Sequence, residues 1–561
     1  MDNLKNIDMI VRSLKEHGLS RIVISPGGTN QAFAKAVQDD SFFQCYSVVD
    51  ERSAIYFAIG LYLQTGDTIV TSCTSAQATR NYIPGLTEAF YKRVPILAIT
   101  MSKHPRFTYQ EYMQAPDQTS LPKDCVKHSF SLPCINDNND VLFSKRQIEA
   151  AILEVSHHSL GPVQLCVPWL DFPLEGEVRD NKTIIRTDKE DNLKDRLSGK
   201  KIMICIGEHM PFTSGLHSEI ERFSECYNVV IYSNHISNYH GKYVIQGTLP
   251  LLTININLFR EKLKPDVLLT IGGQTGDYPF YNLFARNDLG DIEHWRVAPD
   301  GNVVDTYDKL TTVIQMDEES FFSRINNGTE EKEVMHDLYL AWENYYATVN
   351  TQIDVPFSAV SVAREFSKRI PGESVLQFSI LNTLRVWNMF HIDSSIRCFA
   401  NVGAFGIDGG MSTLIGQSVI SDRLCFMIIG DLAFLYDMNA ISIRHIKSNL
   451  RILIINNAGG VEFKLWGGDN SSIDRYIAGA GHFSNASGWA QTCGFKYISV
   501  SSQEQFSCVI DEFIGESDRP IVLEAFISDK AEQEAYSSIV QANINRSLKD
   551  KAKAALLRIM R

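Results

Sequence analysis

Short runs of β-branched and aliphatic residues, each released through a Gly-containing or polar turn into a helical segment, recur along the whole chain. No other feature limits the fold as much. Strands that alternate with helices close into parallel sheets covered on both faces, because a parallel connection needs a crossover. The expectation is therefore an α/β protein of three doubly wound domains with parallel sheets. At 561 residues the chain is too long for one hydrophobic core, and the runs fall into three blocks. The first, 1–185, holds RIVIS (21–25), QCYSVV (44–49), TIVTSC (68–73), PILAIT (95–100) and PVQLCV (162–167), with Pro26-Gly27-Gly28 opening a helix at Asn30. The charged stretch 175–200 reads as a linker. The second block, 186–350, holds KIMICIG (201–207), NVVIYS (228–233) and DVLLTIGG (266–273), and contains no GxGxxG that would call for a dinucleotide. The third, 351–561, holds SVLQFSI (374–380), RCFANV (397–402), LCFMIIG (424–430), LRILIINN (450–457), YISVSS (497–502) and PIVLEAFIS (520–528).

Composition removes several function classes. A net charge of −13 is wrong for a nucleic-acid partner, which needs a basic surface. No apolar stretch is long enough to span a bilayer, so no membrane partner is expected. The N-terminus reads as an amphipathic helix of mixed charge rather than a signal peptide, which points to the cytoplasm. Eleven scattered cysteines without a CxxC pair read as reduced, mostly buried thiols. The one basic segment, SLKDKAKAALLRIMR (547–561), reads as a terminal helix docked on its own protein or folded over an active site.

The most specific local pattern lies in the third block. MIIGDLAFLYDMNAISI (427–443) is a buried strand, then Gly-Asp, then an amphipathic helix; LRILIINNAGGVEF (450–463) is a second buried strand ending in Asn-Asn and a Gly pair. Asp431, just past a strand end, offers a carboxylate to a hard cation. Asn457 offers an amide oxygen, and Gly459, lacking a Cβ, can turn its carbonyl to the same point. Mg²⁺ takes about six oxygens and is usually completed by phosphates. A helix starting after Gly430-Asp431 aims its first N–H groups at them.

This pair of segments resembles the diphosphate-and-magnesium motif of thiamine-diphosphate enzymes, which starts Gly-Asp and ends Asn-Asn. The branch it most resembles is the menaquinone-pathway 2-succinyl-5-enolpyruvyl-6-hydroxy-3-cyclohexene-1-carboxylate synthase. SPGGTN (25–30), VDERSAIYFAIGL (49–61), TSCTSAQATRNYIPGLTEAF (71–90) and NVGAFGIDGGMSTLIGQ (401–417) are similar to segments of that branch, in the same order. The middle block is less similar. The resemblance implies a pyrimidine-binding domain, a central domain and a diphosphate-binding domain. It implies thiamine diphosphate and Mg²⁺ as cofactors, with Asp431, Asn457 and Gly459 on the metal and Gly430, Leu432, Ala433 and Gly460 around the diphosphate. It also implies a homodimer or tetramer, with Glu51 from one subunit facing Asp431 of another.

Further roles follow from the same resemblance. Glu51 is the carboxylate that exchanges a proton with the cofactor's aminopyrimidine ring. Ile407 is the apolar wedge under the bent cofactor. Arg385 meets a substrate carboxylate, as a guanidinium fork suits. Gln118 contacts the activated cofactor or acyl group. Departures cluster at the substrate positions: the branch's arginine in SPGSRS is Thr29, its arginine after the fourth strand is Lys103, its Ser-Lys pair is replaced by GGQTGDYPF, and a serine aligns with Leu381 or, with a gap, Ser379. A site built for buried carboxylates fails when their partners are lost. The expected function is thus decarboxylation of a 2-oxo acid with transfer of the acyl carbanion to an acceptor, on a substrate pair different from that branch's. The alternatives are a simple decarboxylase releasing an aldehyde and a non-catalytic cofactor-binding partner protein.

Overall fold

The computed structural model describes residues 3–170, 183–189, 193–328, 334–465, 482 and 484–544. The basic segment 547–561 lies outside these. Among the described residues nineteen strands form three all-parallel sheets, and helices fill the connections, as the alternation requires. In the first sheet are β1 (Arg21–Ile24), β2 (Gln44–Ser47), β3 (Ile69–Cys73), β4 (Ile96–Lys103), β5 (Ser129–Ser131) and β6 (Val163–Trp169), ordered β2-β1-β3-β4-β6-β5. The second contains β7 (Ile185–Thr187), β8 (Lys201–Ile206), β9 (Asn228–Ser233), β10 (Val244–Gln246), β11 (Val267–Ile271), β12 (Glu293–Val297) and β13 (Leu310–Ile314), ordered β10-β9-β8-β11-β12-β13-β7. The third contains β14 (Val375–Phe378), β15 (Arg397–Ala400), β16 (Cys425–Gly430), β17 (Leu450–Asn456), β18 (Lys496–Val500) and β19 (Ile521–Phe526), ordered β15-β14-β16-β17-β19-β18.

Numbered within each sheet, the first and third share one order, 2-1-3-4-6-5. The chain leaves β1 towards one edge and β3 towards the other, so a crevice opens between the loops that follow them. Open α/β sheets bind ligands at this reversal. The matching crevice of the third sheet lies between the loops after β14 and β16. Part of the stretch read as a linker is structured: Ile185–Thr187 pairs with β13 at the edge of the middle sheet, and Leu193–Leu197 is helical.

Burial follows from the two-sided cover. All eight residues of β4 and all seven of β17 are buried, the continuous apolar pattern of a covered parallel sheet. One apolar cluster runs from Met203 and Tyr232 of the middle sheet through Trp342 and Trp387 to Phe378 and Leu523 of the third. It fastens these two sheets together. Six of the eleven thiols are buried, whereas Cys508 is exposed. Among the described residues no helix is long and apolar enough to cross a membrane.

Candidate active site

The two crevices face one cavity of about 1140 Å³. From the first sheet it takes Pro26, Gly27 and Gly28 after β1 and Thr74, Ser75 and Gln77 after β3; from the third it takes Ser379 to Thr383 after β14 and Gly430 to Ala433 after β16. The middle sheet's segments add walls, among them Leu251, Tyr278 and Arg286. Two glycines allow this approach. A Cβ on Gly27 would lie 2.2 Å from the Thr74 Cβ, and one on Gly406 would lie 2.8 Å from the Gln77 side chain.

Glu51 opens the helix Glu51–Thr65, whose N-cap Asp50 accepts from the Ser53 N–H. Its carboxyl is buried at the cavity wall. Burial pushes its pKa up to about 7, against a hydrogen bond from the Tyr436 hydroxyl that favours the ionised form. Tyr436 ends the short helix that begins at Asp431, so this bond ties the first sheet to the third. Asn81 Nδ2 donates to the Tyr436 hydroxyl at 2.7 Å and to Asp408 at 3.4 Å. The sequence gives no signal for Tyr436, Asn81 or Asp408, because their alignment with Glu51 arises only in the folded chain.

Asp431 is buried across the cavity. Its carboxylate accepts from the N–H of Leu432 at 2.8 Å and of Gly459 at 3.1 Å, and His482 Nε2 lies 3.0 Å away. Asn457 hydrogen-bonds the buried Glu532, whose own carboxylate accepts from the Ala359 N–H. The Asn457 amide oxygen has no partner. A second cavity-lining amide oxygen, that of Asn382, and the Trp387 indole N–H are also buried without partners. Unpaired buried polar atoms cost about 1–3 kcal/mol each, and here they mark where a polar ligand belongs. Asp431 with the orphaned Asn457 oxygen fits a hard cation completed by phosphate oxygens. Gly459 differs from expectation: its N–H rather than its carbonyl meets Asp431, and its carbonyl accepts from Val461. The helix after Gly430 is also shorter than its pattern suggests, ending at Tyr436 before a 3₁₀ turn.

Ile407, Gly460, Lys103 and Arg385 all line the cavity. Lys103 is buried, with its ammonium 5.9 Å from the Tyr112 ring centre. Ser379 and Leu381, the two candidates for the branch's serine, both reach it, and so does Lys35, which the sequence did not single out. The Arg385 fork is met by the Glu462 carboxylate in two 2.9 Å bonds.

Two expected site residues lie elsewhere. Thr29 is spent on a loop tie: its hydroxyl lies 2.8 Å from that of Thr74 and accepts from the Ser75 N–H. Gln118 is buried behind the wall and does not line the cavity. Its amide accepts from the Ala76 N–H at 2.9 Å and donates to the Met101 carbonyl at 2.7 Å. Ala76 sits at φ 72°, ψ −128°, and Leu381 across the cavity at φ 63°, ψ −127°. Such backbone costs on the order of 1–3 kcal/mol for a residue with a Cβ and persists only when braced. Gln118→Ala is expected to destabilise the protein by about 1–3 kcal/mol, because it orphans the Ala76 N–H; urea unfolding checks this.

In the single chain described, Glu51 and Asp431 line one cavity, because the crevices of its first and third sheets face each other and the Tyr436–Glu51 bond joins them.

Comparison with known proteins identifies the family. A family model described as thiamine pyrophosphate enzyme, N-terminal TPP binding domain, matches residues 5–121. The chain is 33% identical over 545 residues to a 2-succinyl-5-enolpyruvyl-6-hydroxy-3-cyclohexene-1-carboxylate synthase of Phocaeicola vulgatus, covering 93% of this chain and 95% of the relative. It is 31% identical to the protein of that name in Bacteroides thetaiotaomicron, covering 93% and 96%, and 27% identical to that of Flavobacterium johnsoniae, covering 92% and 95%. The chain thus belongs to the thiamine-diphosphate enzyme family, in the branch of these synthases, and is an enzyme of the transferase, carboligase type.

Proposed function

We propose that this enzyme uses thiamine diphosphate and Mg²⁺ to decarboxylate a 2-oxo acid and transfer the acyl carbanion to an acceptor, on a substrate pair different from that named for its relatives. The observation that carries the reading is the pairing, across one cavity, of a buried carboxyl that titrates near neutrality with a carboxylate–amide pair whose amide oxygen has no partner. Thiamine diphosphate, when bound, supplies the electron sink that lets a 2-oxo acid lose carbon dioxide. Asp431 and the Asn457 oxygen would hold the cation, with Gly430, Leu432, Ala433, Gly459 and Gly460 around the diphosphate. Ile407 would support the bend of the cofactor. Glu51 holds or releases a proton at its carboxyl near neutral pH, and Tyr436 fixes the orientation of that carboxyl. Lys103 and Lys35 offer positive charge to an acidic acceptor.

The departure at Thr29, whose hydroxyl ties two loops, and the pairing of the Arg385 fork with Glu462 support the change of substrate. The test is mass spectrometry of the adducts and products formed from a panel of 2-oxo acids with and without acceptors. A ligated product is expected. An aldehyde alone, whatever acceptor is offered, would favour the simple decarboxylase, and no adduct with any acid would refute the proposal.

We further propose a homodimer or tetramer located in the cytoplasm. Mixing Glu51→Gln chains with Asp431→Ala chains reports which chain completes each site. Recovery of activity on mixing would place the two groups in different chains. No recovery would keep them in one.

A further inference from the structure

The cavity contains a cation that is already answered. Arg385 lies on the short helix after β14, with its side chain buried, and both arms of its fork meet the two oxygens of Glu462 at 2.9 Å. Both residues line the cavity. Burial alone would pull the guanidinium's pKa down, and the Glu462 carboxylate more than reverses this. A paired fork of this kind has its strongest bonding directions filled. The same cavity wall carries Leu381, Val461 and Phe463 from the third sheet and Leu251 and Leu252 from the middle segments, while Tyr278, Tyr536 and Asp277 also act on the guanidinium. The other cavity-lining cations stand elsewhere. Lys35 and Lys103 belong to the first sheet, and Arg286 is paired with Asp288 at 2.7 Å. Glu462 itself interrupts an otherwise apolar run, GGVEF, which is the sequence signal for it.

We infer that Glu462 is a specificity residue: it occupies the Arg385 fork in place of a substrate carboxylate, and so restricts the donor to 2-oxo acids that carry no second carboxylate. The inference rests on the proposed decarboxylation. A dicarboxylate entering here would either find the fork already taken by Glu462, whose negative charge repels its second carboxylate, or have to expel Glu462 from the fork. Either event disfavours it relative to a donor with a short uncharged side chain.

The experiment compares pyruvate with 2-oxoglutarate on the cofactor-loaded enzyme. Wild type is expected to bind and turn over pyruvate and to show no calorimetric binding of 2-oxoglutarate. Glu462→Gln frees one charge of the fork and is expected to raise the ratio of kcat/KM for 2-oxoglutarate over pyruvate by ~10²-fold, the scale of a charge-assisted bidentate contact. It should also make 2-oxoglutarate binding measurable. The double variant Arg385→Met, Glu462→Met removes the cation as well and should lose that gain. Wild-type use of 2-oxoglutarate equal to pyruvate would overturn the inference while leaving decarboxylation intact, and so would an unchanged ratio in a folded Glu462→Gln protein. The calorimetric arm separates the two readings when no acid is turned over. Tight 2-oxoglutarate binding by wild type overturns the inference, whereas its absence together with binding by Glu462→Gln supports it even though decarboxylation has failed.

Discussion

Glu51→Gln is expected to leave thiamine diphosphate bound and to cut carbon dioxide release by ~10³-fold or more. Glutamine has nearly the same shape and can still accept from Tyr436, but it cannot exchange a proton, and a positioned acid–base group contributes roughly 10²–10⁴-fold. The same variant should behave oppositely in stability. The carboxyl has an ordinary value of 4.5 and is raised to about 7 in the fold, chiefly by burial. An unfolded chain therefore releases this proton before the folded one does. Burying Glu51 costs nothing below pH 4.5, progressively more between 4.5 and 7, and about 3 kcal/mol above that range. Glu51→Gln removes this cost, so the cofactor-free variant should be more stable than wild type at pH 8 and indistinguishable from it at pH 4. Tyr436, Asp50 and Asp408 are the charged or titratable groups that act on it from the neighbouring elements. Paired denaturation curves at the two pH values, with carbon dioxide release measured alongside, check both halves. Equal turnover would remove Glu51 from the chemistry, and equal stability at pH 8 would show the carboxyl to be solvated.

The second large effect is expected at Asp431. Asp431→Ala should weaken thiamine diphosphate binding by at least ~10²-fold, and a chelator added to wild type should produce the same loss. The carboxylate would supply the one anionic protein ligand beside the neutral Asn457 oxygen, and a hard cation held by few protein groups depends heavily on each. Thermal denaturation gives a second readout. A ligand at about 100 times its Kd stabilises the fold by about 2.7 kcal/mol, an increment that Asp431→Ala should lack. The cofactor-free variant should itself lose about 1–3 kcal/mol, because Gly459 and His482 lose their acceptor. Undiminished cofactor affinity in the variant would move the cation elsewhere.

Much of this was legible from residues alone, and the gaps have physical causes. The four inner strands of the third sheet are largely apolar runs, and the two edge strands, RCFA and KYISV, still carry enough β-branched and aromatic residues to be recognised. Glu293–Val297 is hard to see in the sequence because EHWRV hides a buried strand behind polar side chains, most of whose polar atoms find partners in the fold. His294 bonds Thr270 at 2.9 Å, and Arg296 pairs with Asp300 at 2.6 Å and Glu111 at 2.8 Å. Three-residue strands such as Ile185–Thr187 are too short to show a period. Glu51, Asp431 and Asn457, which line the cavity, stand out in the sequence because each follows a strand within a recognisable run. Thr29 and Gln118 lie off the cavity; a polar side chain that ties backbone loops has the same sequence appearance as one that meets a ligand. Glu462 lay inside a quoted run, but its pairing with Arg385 depends on how two separate loops converge.

The bond between Glu51 and Tyr436 joins residues 385 positions apart. At a synthesis rate of about 5–20 residues per second, Glu51 leaves the ribosome roughly 20–80 s before its partner exists. Through that interval the N-terminal sheet lacks Tyr436 and Asp408, which face this acid in the finished chain. The surroundings that set its pKa are thus completed last, when the final sheet closes against a half that has long been waiting.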